Sequence, residues 1–174
     1  MKKICIVASR YYEDIINMLV SGVNDVLNNH KKKIKTKIIY VPGVFEIPHA
    51  ISKNLKKYDA FIALGCVIKG ETPHFDFISK SSIDAIMKLS IESKKPIGNG
   101  ILTCLNKDQA IERADKSNKN KGKEAANAAR TTAAKNKAAL GTSIKQSSVL
   151  GAGFKSLGAS LAKALGPLAL LGFA

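Results

Sequence analysis

Four short β-branched runs, each followed by a stretch of helical spacing, constrain the fold of this chain more than any other feature. Lys3-Ile4-Cys5-Ile6-Val7-Ala8 is the first run, bounded by Ser9-Arg10. Apolar residues then recur with helical period at Ile15, Ile16, Leu19, Val23, Val26 and Leu27. A second strand is predicted over 34–41, closed by the turn pair Pro42-Gly43, and a helix follows through Phe45, Ile47, Ala50, Ile51 and Leu55. Residues 60–66 are a third apolar strand. Thr72-Pro73 reads as an N-cap and first helical residue, opening a helix through Phe77, Ile78, Ile83, Ile86, Met87 and Leu89. Pro96 precedes a fourth strand from Ile97 to Thr103, Asp108 to Ala114 is helical, and an Ala-rich helix begins near Gly122.

Strand–helix alternation of this kind means parallel strands joined by right-handed crossovers. Strands that are apolar throughout fit a sheet covered on both faces. The expected fold is α/β: a three-layer α/β/α domain with a four-stranded parallel sheet, flavodoxin-like. Such sheets bind ligands at the carboxyl ends of their strands. Those ends are Ser9-Arg10-Tyr11, Pro42 to Glu46, Cys66 to His74, and Thr103-Cys104, and the chain's unusual polar and turn residues cluster there.

The bulk numbers narrow the class. A length of 174 residues allows one domain with a sizeable core. No apolar run is long enough to span a bilayer, and Met1 to Arg10 reads as a strand rather than a signal peptide. Cys5, Cys66 and Cys104 are far apart and odd in number, which fits reduced thiols and a cytoplasmic setting. The net charge of +15 is divided unevenly: residues 1–113 carry 18 basic and 11 acidic side chains, residues 114–174 carry 10 and 2. Lys31-Lys32-Lys33 and Lys56-Lys57 fall at helix ends, where cations favour the helix dipole, so nucleic acid is not read as the obligatory partner.

His74 is the first candidate for chemistry. It stands beside a strand end, and imidazole suits proton transfer near neutral pH; a surface histidine on a helix is the competing reading. The N–H groups around Glu71 and Thr72 could hold an anion such as phosphate. Tyr11 and Phe45 directly follow strand ends, where an aromatic either stacks on a planar ligand or packs in the core. Glu46 could accept from ligand hydroxyls or simply favour the helix dipole, and Arg113 could pair with phosphate or with a helix C-terminus. His30 and His49 are weaker candidates. There is no G-x-x-x-x-G-K-S/T, no G-x-G-x-x-G and no metal-ligand cluster. No cofactor or metal is therefore expected, with the substrates carrying the chemistry and the protein shuttling protons.

Three segments, Val41-Pro42-Gly43-Val44-Phe45-Glu46-Ile47-Pro48, Ala63 to Asp76 (Ala-Leu-Gly-Cys-Val-Ile-Lys-Gly-Glu-Thr-Pro-His-Phe-Asp) and Gln109 to Ala114, together with Asn120-Lys121-Gly122, resemble the 6,7-dimethyl-8-ribityllumazine synthases over about residues 3–130. The resemblance implies a cofactor-free condensation of 5-amino-6-(D-ribitylamino)uracil with 3,4-dihydroxy-2-butanone 4-phosphate. It also implies roles: Tyr11 stacking on the uracil, where Phe or Trp is usual; Val44, Phe45 and Glu46 holding the ribityl chain and pyrimidine; Cys66, Val67 and Ile68 reading the uracil through backbone; Glu71 and Thr72 at the phosphate; His74 as general acid/base. Asn99 would contact the pyrimidine from a neighbouring subunit, and Arg113 and Lys121 would bind phosphate, Lys121 also across the interface. Tyr12 replaces a usual Asn and Asp115 a common Gly. The implied assembly is a homopentamer, with a sixty-subunit shell left open. The alternative function is a non-catalytic binding or scaffold protein of the same fold, attached by its tail to a membrane or nucleic acid.

The resemblance fades near Thr131, beyond which there is no acidic residue. The expected organisation is a synthase-like domain over 1–138 and an atypical basic extension over 139–174. In the extension Leu150, Phe154, Leu157, Leu161, Leu165 and Leu168 recur at three- and four-residue spacing, up to Pro167 and just past it. A cationic amphipathic helix on a membrane or partner fits this pattern. So does an extension packed on its own subunit, since interior glycines such as Gly151 and Gly153 weaken a helix.

Overall fold

From Ile4 to Ser9 no side chain of the first strand, β1 (Lys2–Ser9), reaches solvent, so both of its faces must be covered. A computed structural model, describing residues 2–29, 34–135 and 138, shows how. Helix α1 (Glu13–Asn28) leads to β2 (Ile34–Val41); a 3-10 turn (Val44–Glu46) and the short α2 (Ile47–Ser52) lead to β3 (Ala60–Ile68); α3 (His74–Ser93) leads to β4 (Ile97–Cys104). Helix α4 (Lys107–Ala114) and a helix over 121–135, α5, complete the order. The strands are all parallel and lie in the order β2-β1-β3-β4. The three-layer, flavodoxin-like expectation is thus met. Contacts divide the chain into two units, Met1–Ala133 and Ala134–Ala174, and the strands all belong to the first. The Leu150–Leu168 stripe and His30 lie outside the described residues.

Period-two alternation separates two cores. Ile4, Ile6 and Ala8 of β1, with Ile62, Leu64 and Cys66 of β3, pack under α1, α4 and α5. Cys5 and Val7, with Phe61 and Ala63, pack under the 3-10 turn, α2 and α3. The chain steps one way from β1 to β2 and the other way from β2 to β3. Right-handed crossovers therefore send α1 to one face and α2 and α3 to the opposite face. α1 has the expected apolar stripe, with Ile15, Ile16, Leu19 and Val23 buried.

Two local expectations change. The helix drawn through Leu55 is a 3-10 turn and a six-residue helix ending at Ser52. There Asn54 Nδ2 donates to Ala50 O at 2.8 Å, the carbonyl that Asn54 N would use in a longer helix, while Asn54 N turns to Ile51 O. Thr72 is not the cap of α3. Pro73 occupies the N-cap in helical backbone geometry, with no side-chain cap, and its carbonyl accepts from Asp76 N at 3.0 Å.

Helix α5 is seated on β4 by missing side chains. A Cβ at Gly98 would lie 2.1 Å from Ala125 O, and one at Gly100 would lie 3.2 Å from Ala125 Cβ. Gly98→Ala is expected to lift α5 and cost about 1–3 kcal/mol, as overpacking does. Urea unfolding with an unchanged slope would measure it. A loss within experimental error would show that α5 does not rest there.

Candidate active site

The sheet ends in a step. Pairing of β1 with β3 stops at Ala8↔Leu64, whereas β3 runs on to Ile68 beside β4, as far as Ile68↔Cys104. Cys66, Val67 and Ile68 therefore pass the end of β1 with strand backbone that has no β1 partner. The step falls between β1 and β3, where strand order reverses, and that is where such sheets open a crevice.

Two aromatics stand over it. Tyr11 is 74% exposed and Phe45 61% exposed. Neither is a core aromatic, so the packing reading is removed for both. Tyr11 meets Tyr12 edge-on, with ring centroids 5.0 Å apart. Phe45 is held out by what lies beneath it. Val44 is buried against the bare backbone of Gly65, where a Cβ would come within 2.3 Å of Val44 Cγ1. Val44 thus anchors the turn through its side chain and has only backbone to offer a ligand. Glu46 is half-buried, and its Oε2 accepts from Gly43 N at 3.0 Å, closing the turn from its third residue. Its local role is thus the one that competes with ligand binding.

Glu71, Thr72 and His74 are exposed at the end of β3 and the start of α3, a helix start with no side-chain cap. The loops after β1, β2 and β3 therefore bring Tyr11, Phe45, Glu46, the 66–68 backbone, Glu71, Thr72 and His74 to one end of the sheet. Three residues come from other elements, β4, α4 and α5. Asn99 is exposed in β4 level with Ala63, its Oδ1 accepting from Ile101 N at 3.0 Å. Arg113, in the last turn of α4, donates through Nη1 to Gln109 O at 3.1 Å. Lys121, at the start of α5, pairs with Glu124 at 2.6 Å.

Electrostatics beside the step favour neutral thiols. Burial pushes Cys66 up to about 12, with Cys104 and Asp14 adding to the rise. Burial pushes Cys5 up to about 11 against the opposing charge of Lys37. Cys104 rises by burial, opposed by Arg113. Asp14, at the start of α1, is held below the usual carboxylate range by Lys107, 3.0 Å away, and by the Ile15 N–H.

Some features had not been foreseen. The Arg10 guanidinium lies 4.2 Å over the Tyr40 ring, on the rim of a cavity of about 210 Å³ lined by Arg10, Glu13, Ile16, Asn17 and Tyr40. Asn120 is buried among helices; an Asn just before a helix start is a capping signal legible in sequence. Among the described residues no group of three metal-binding side chains forms, and no helix is long and apolar enough to cross a membrane.

The thiols generate a pH test. An unfolded thiol ionises near 9.0, and the folded ones ionise higher. The folded state then holds more protons above that pH, so stability is complete below about 9 and declines as pH rises toward 11–12. Urea midpoints should be flat from pH 7 to 9 and fall above, and the fall should be shallower in Cys66→Ala. Equal slopes in both proteins would contradict the assignment.

Comparison with known proteins adds to this geometry. The family model described as 6,7-dimethyl-8-ribityllumazine synthase matches residues 1–137. The chain is 45% identical over 129 residues to the 6,7-dimethyl-8-ribityllumazine synthase of Bartonella tribocorum, covering 72% of this chain and 84% of that one. It is 44% identical over 131 residues to that of Sphingopyxis alaskensis, covering 74% and 91%. With the Zymomonas mobilis protein of the same name the identity is 43% over 133 residues, covering 75% and 94%.

Proposed function

The chain belongs to the 6,7-dimethyl-8-ribityllumazine synthase family, and from that premise we propose how its residues carry out the reaction. It is a transferase of riboflavin biosynthesis, condensing 5-amino-6-(D-ribitylamino)uracil with 3,4-dihydroxy-2-butanone 4-phosphate. The amine attacks the ketone and loses water as an imine forms; inorganic phosphate then leaves, the product tautomerises, and the ribitylamino nitrogen closes the ring on the remaining carbonyl with loss of a second water. Each step moves a proton, and none calls for a redox group.

The observation that carries the site reading is the pair of exposed aromatics over the step in the sheet. Tyr11 stacks on the uracil, and stacking suits a planar heterocycle. Where β3 passes the end of β1, the backbone of Cys66, Val67 and Ile68 offers the uracil edge the N–H and C=O groups that β4 does not take, as a further strand would. Phe45 and the backbone around Val44 and Glu46 flank the ribityl chain. Glu71 and Thr72 form the turn for the phosphate at the open start of α3. His74, one residue into that helix, takes and returns protons.

Arg113 and Lys121 complete the phosphate site and Asn99 the pyrimidine site, each supplied by a neighbouring subunit. The outer face of α3 supports this. There Phe77, Met87 and Ile91 are 71%, 59% and 67% exposed, an apolar stripe that a second copy would cover. The assembly we propose is a homopentamer. A setting that keeps thiols reduced, the cytoplasm, fits the three free cysteines. Residues 1–138 form the catalytic domain and 139–174 an extension of separate purpose.

Two experiments test the reading. Lumazine formation from the two substrates, followed by its absorbance, should fall by about 10²-fold or more in kcat for His74→Ala, the scale of lost general acid–base catalysis. His74 is exposed, so the thermal midpoint should not move. Wild-type turnover by His74→Ala would remove it from the mechanism. Light scattering of the full chain should give about five times the 18.6 kDa protomer, and so should the chain cut after residue 138 in proportion to its shorter length. A monomer that is fully active would refute a shared site.

A further inference from the structure

Four polar side chains are buried among the described residues: Ser9, Ser79, Ser82 and Asn120. The hydroxyls of the three serines have no hydrogen-bond partner; the Asn120 amide, 2% exposed, has three. Its Nδ2 donates to Met18 O in α1 at 3.2 Å and to Ala114 O at the end of α4 at 2.5 Å. Its Oδ1 accepts from Lys123 N in the first turn of α5 at 2.9 Å. One carbonyl at a helix C-terminus and one N–H at a helix N-terminus, groups that helices leave unpaired, are satisfied by the same side chain.

The surroundings are cut to fit it. A Cβ at Gly22 would fall 2.0 Å from Asn120 Oδ1, and one at Gly122 would fall 2.2 Å from Leu19 O. Other links between these helices are ion pairs of Lys107 with Asp14 and of Lys116 and Lys123 with Asp25. Those are largely exposed, and exposed pairs between long side chains hold geometry weakly. The buried amide is the link that fixes where α4 ends and α5 begins.

Ala114 directly follows Arg113, and Lys121 directly follows Asn120. We infer that Asn120 is a positioning residue for phosphate capture: it locks the end of α4 and the start of α5 to α1, and so sets the reach of Arg113 and Lys121 together toward the neighbouring subunit's site. The inference rests on the reading that Arg113 and Lys121 hold the phosphate. Asn120 itself touches no substrate.

The test compares Arg113→Ala, Asn120→Ala and Gly22→Ala. KM for each of the two substrates, kcat, and inhibition by inorganic phosphate are measured on protein of confirmed assembly mass. Arg113→Ala should raise KM for the sugar phosphate about tenfold or more, as loss of a charged hydrogen bond does. Asn120→Ala should raise the same KM about tenfold and weaken phosphate inhibition in step, with KM for the uracil substrate within about twofold. A purely structural residue would lower the amount of active protein and leave this split unmoved. Gly22→Ala acts from α1 by displacing the Asn120 amide, and serves if Asn120→Ala does not fold. It should give the same selective rise, and in the Asn120→Ala background it should add little, because its target is gone. If Arg113→Ala raises KM for the sugar phosphate while neither Asn120→Ala nor Gly22→Ala does, the positioning role is refuted and the phosphate site stands. If Arg113→Ala changes nothing, the phosphate reading falls and this inference with it.

Discussion

The structure depends on a reversal of direction at β1. The chain leaves β1 for β2 on one side and returns past it to β3 on the other, and crossover handedness then forces the connecting helices onto opposite faces. β1 is closed in above and below as a result, which is why it tolerates no polar side chain between Ile4 and Ala8. The same reversal parts the segments that follow β1 and β3. Tyr11 leaves toward one layer, and the 69–74 segment leaves toward the other. The crevice between them is a product of chain topology before any residue contributes chemistry to it.

Much of this was legible in the order of residues because the signals are local. Continuous apolar runs located the four strands to within two residues, period-3.6 spacing located the main helices, and parallel topology followed from their alternation. What was not legible depends on partners distant in sequence. The break after Ser52 is the exception, a local event: the Asn54 side chain takes the Ala50 carbonyl of the helix's last turn. Nothing in Thr72-Pro73 distinguishes a capping threonine from a free one. Residue spacing left Tyr11 and Phe45 open between core and surface, and only the packing of Val44 on Gly65 and the early end of β1 decide it. Asn120 carried a local capping signal, but its hold on Met18, 102 positions away, could be seen only in three dimensions.

Charge is arranged with similar economy. On the α1, α4 and α5 side, Asp14 and Asp25 collect Lys107, Lys116 and Lys123, so part of the chain's basic excess joins helices to each other. The thiols nearest the step are neutral over the working pH range because burial disfavours the thiolate. In the proposed site the protons are moved by an exposed imidazole, where solvent can exchange protons with it between steps.

The seat of Val44 on Gly65 has a consequence for how such a pocket could change over generations. The turn bearing Phe45 rests on a gap one methyl group wide in the strand below, so its height above the sheet is set from underneath. A single added carbon at Gly65, fully inside the molecule and out of any substrate's reach, would raise the wall of the crevice as a unit. Descendants of this chain seeking to admit a bulkier or slimmer ligand would therefore find the adjusting screw in the floor, while the residues at the mouth kept their identities.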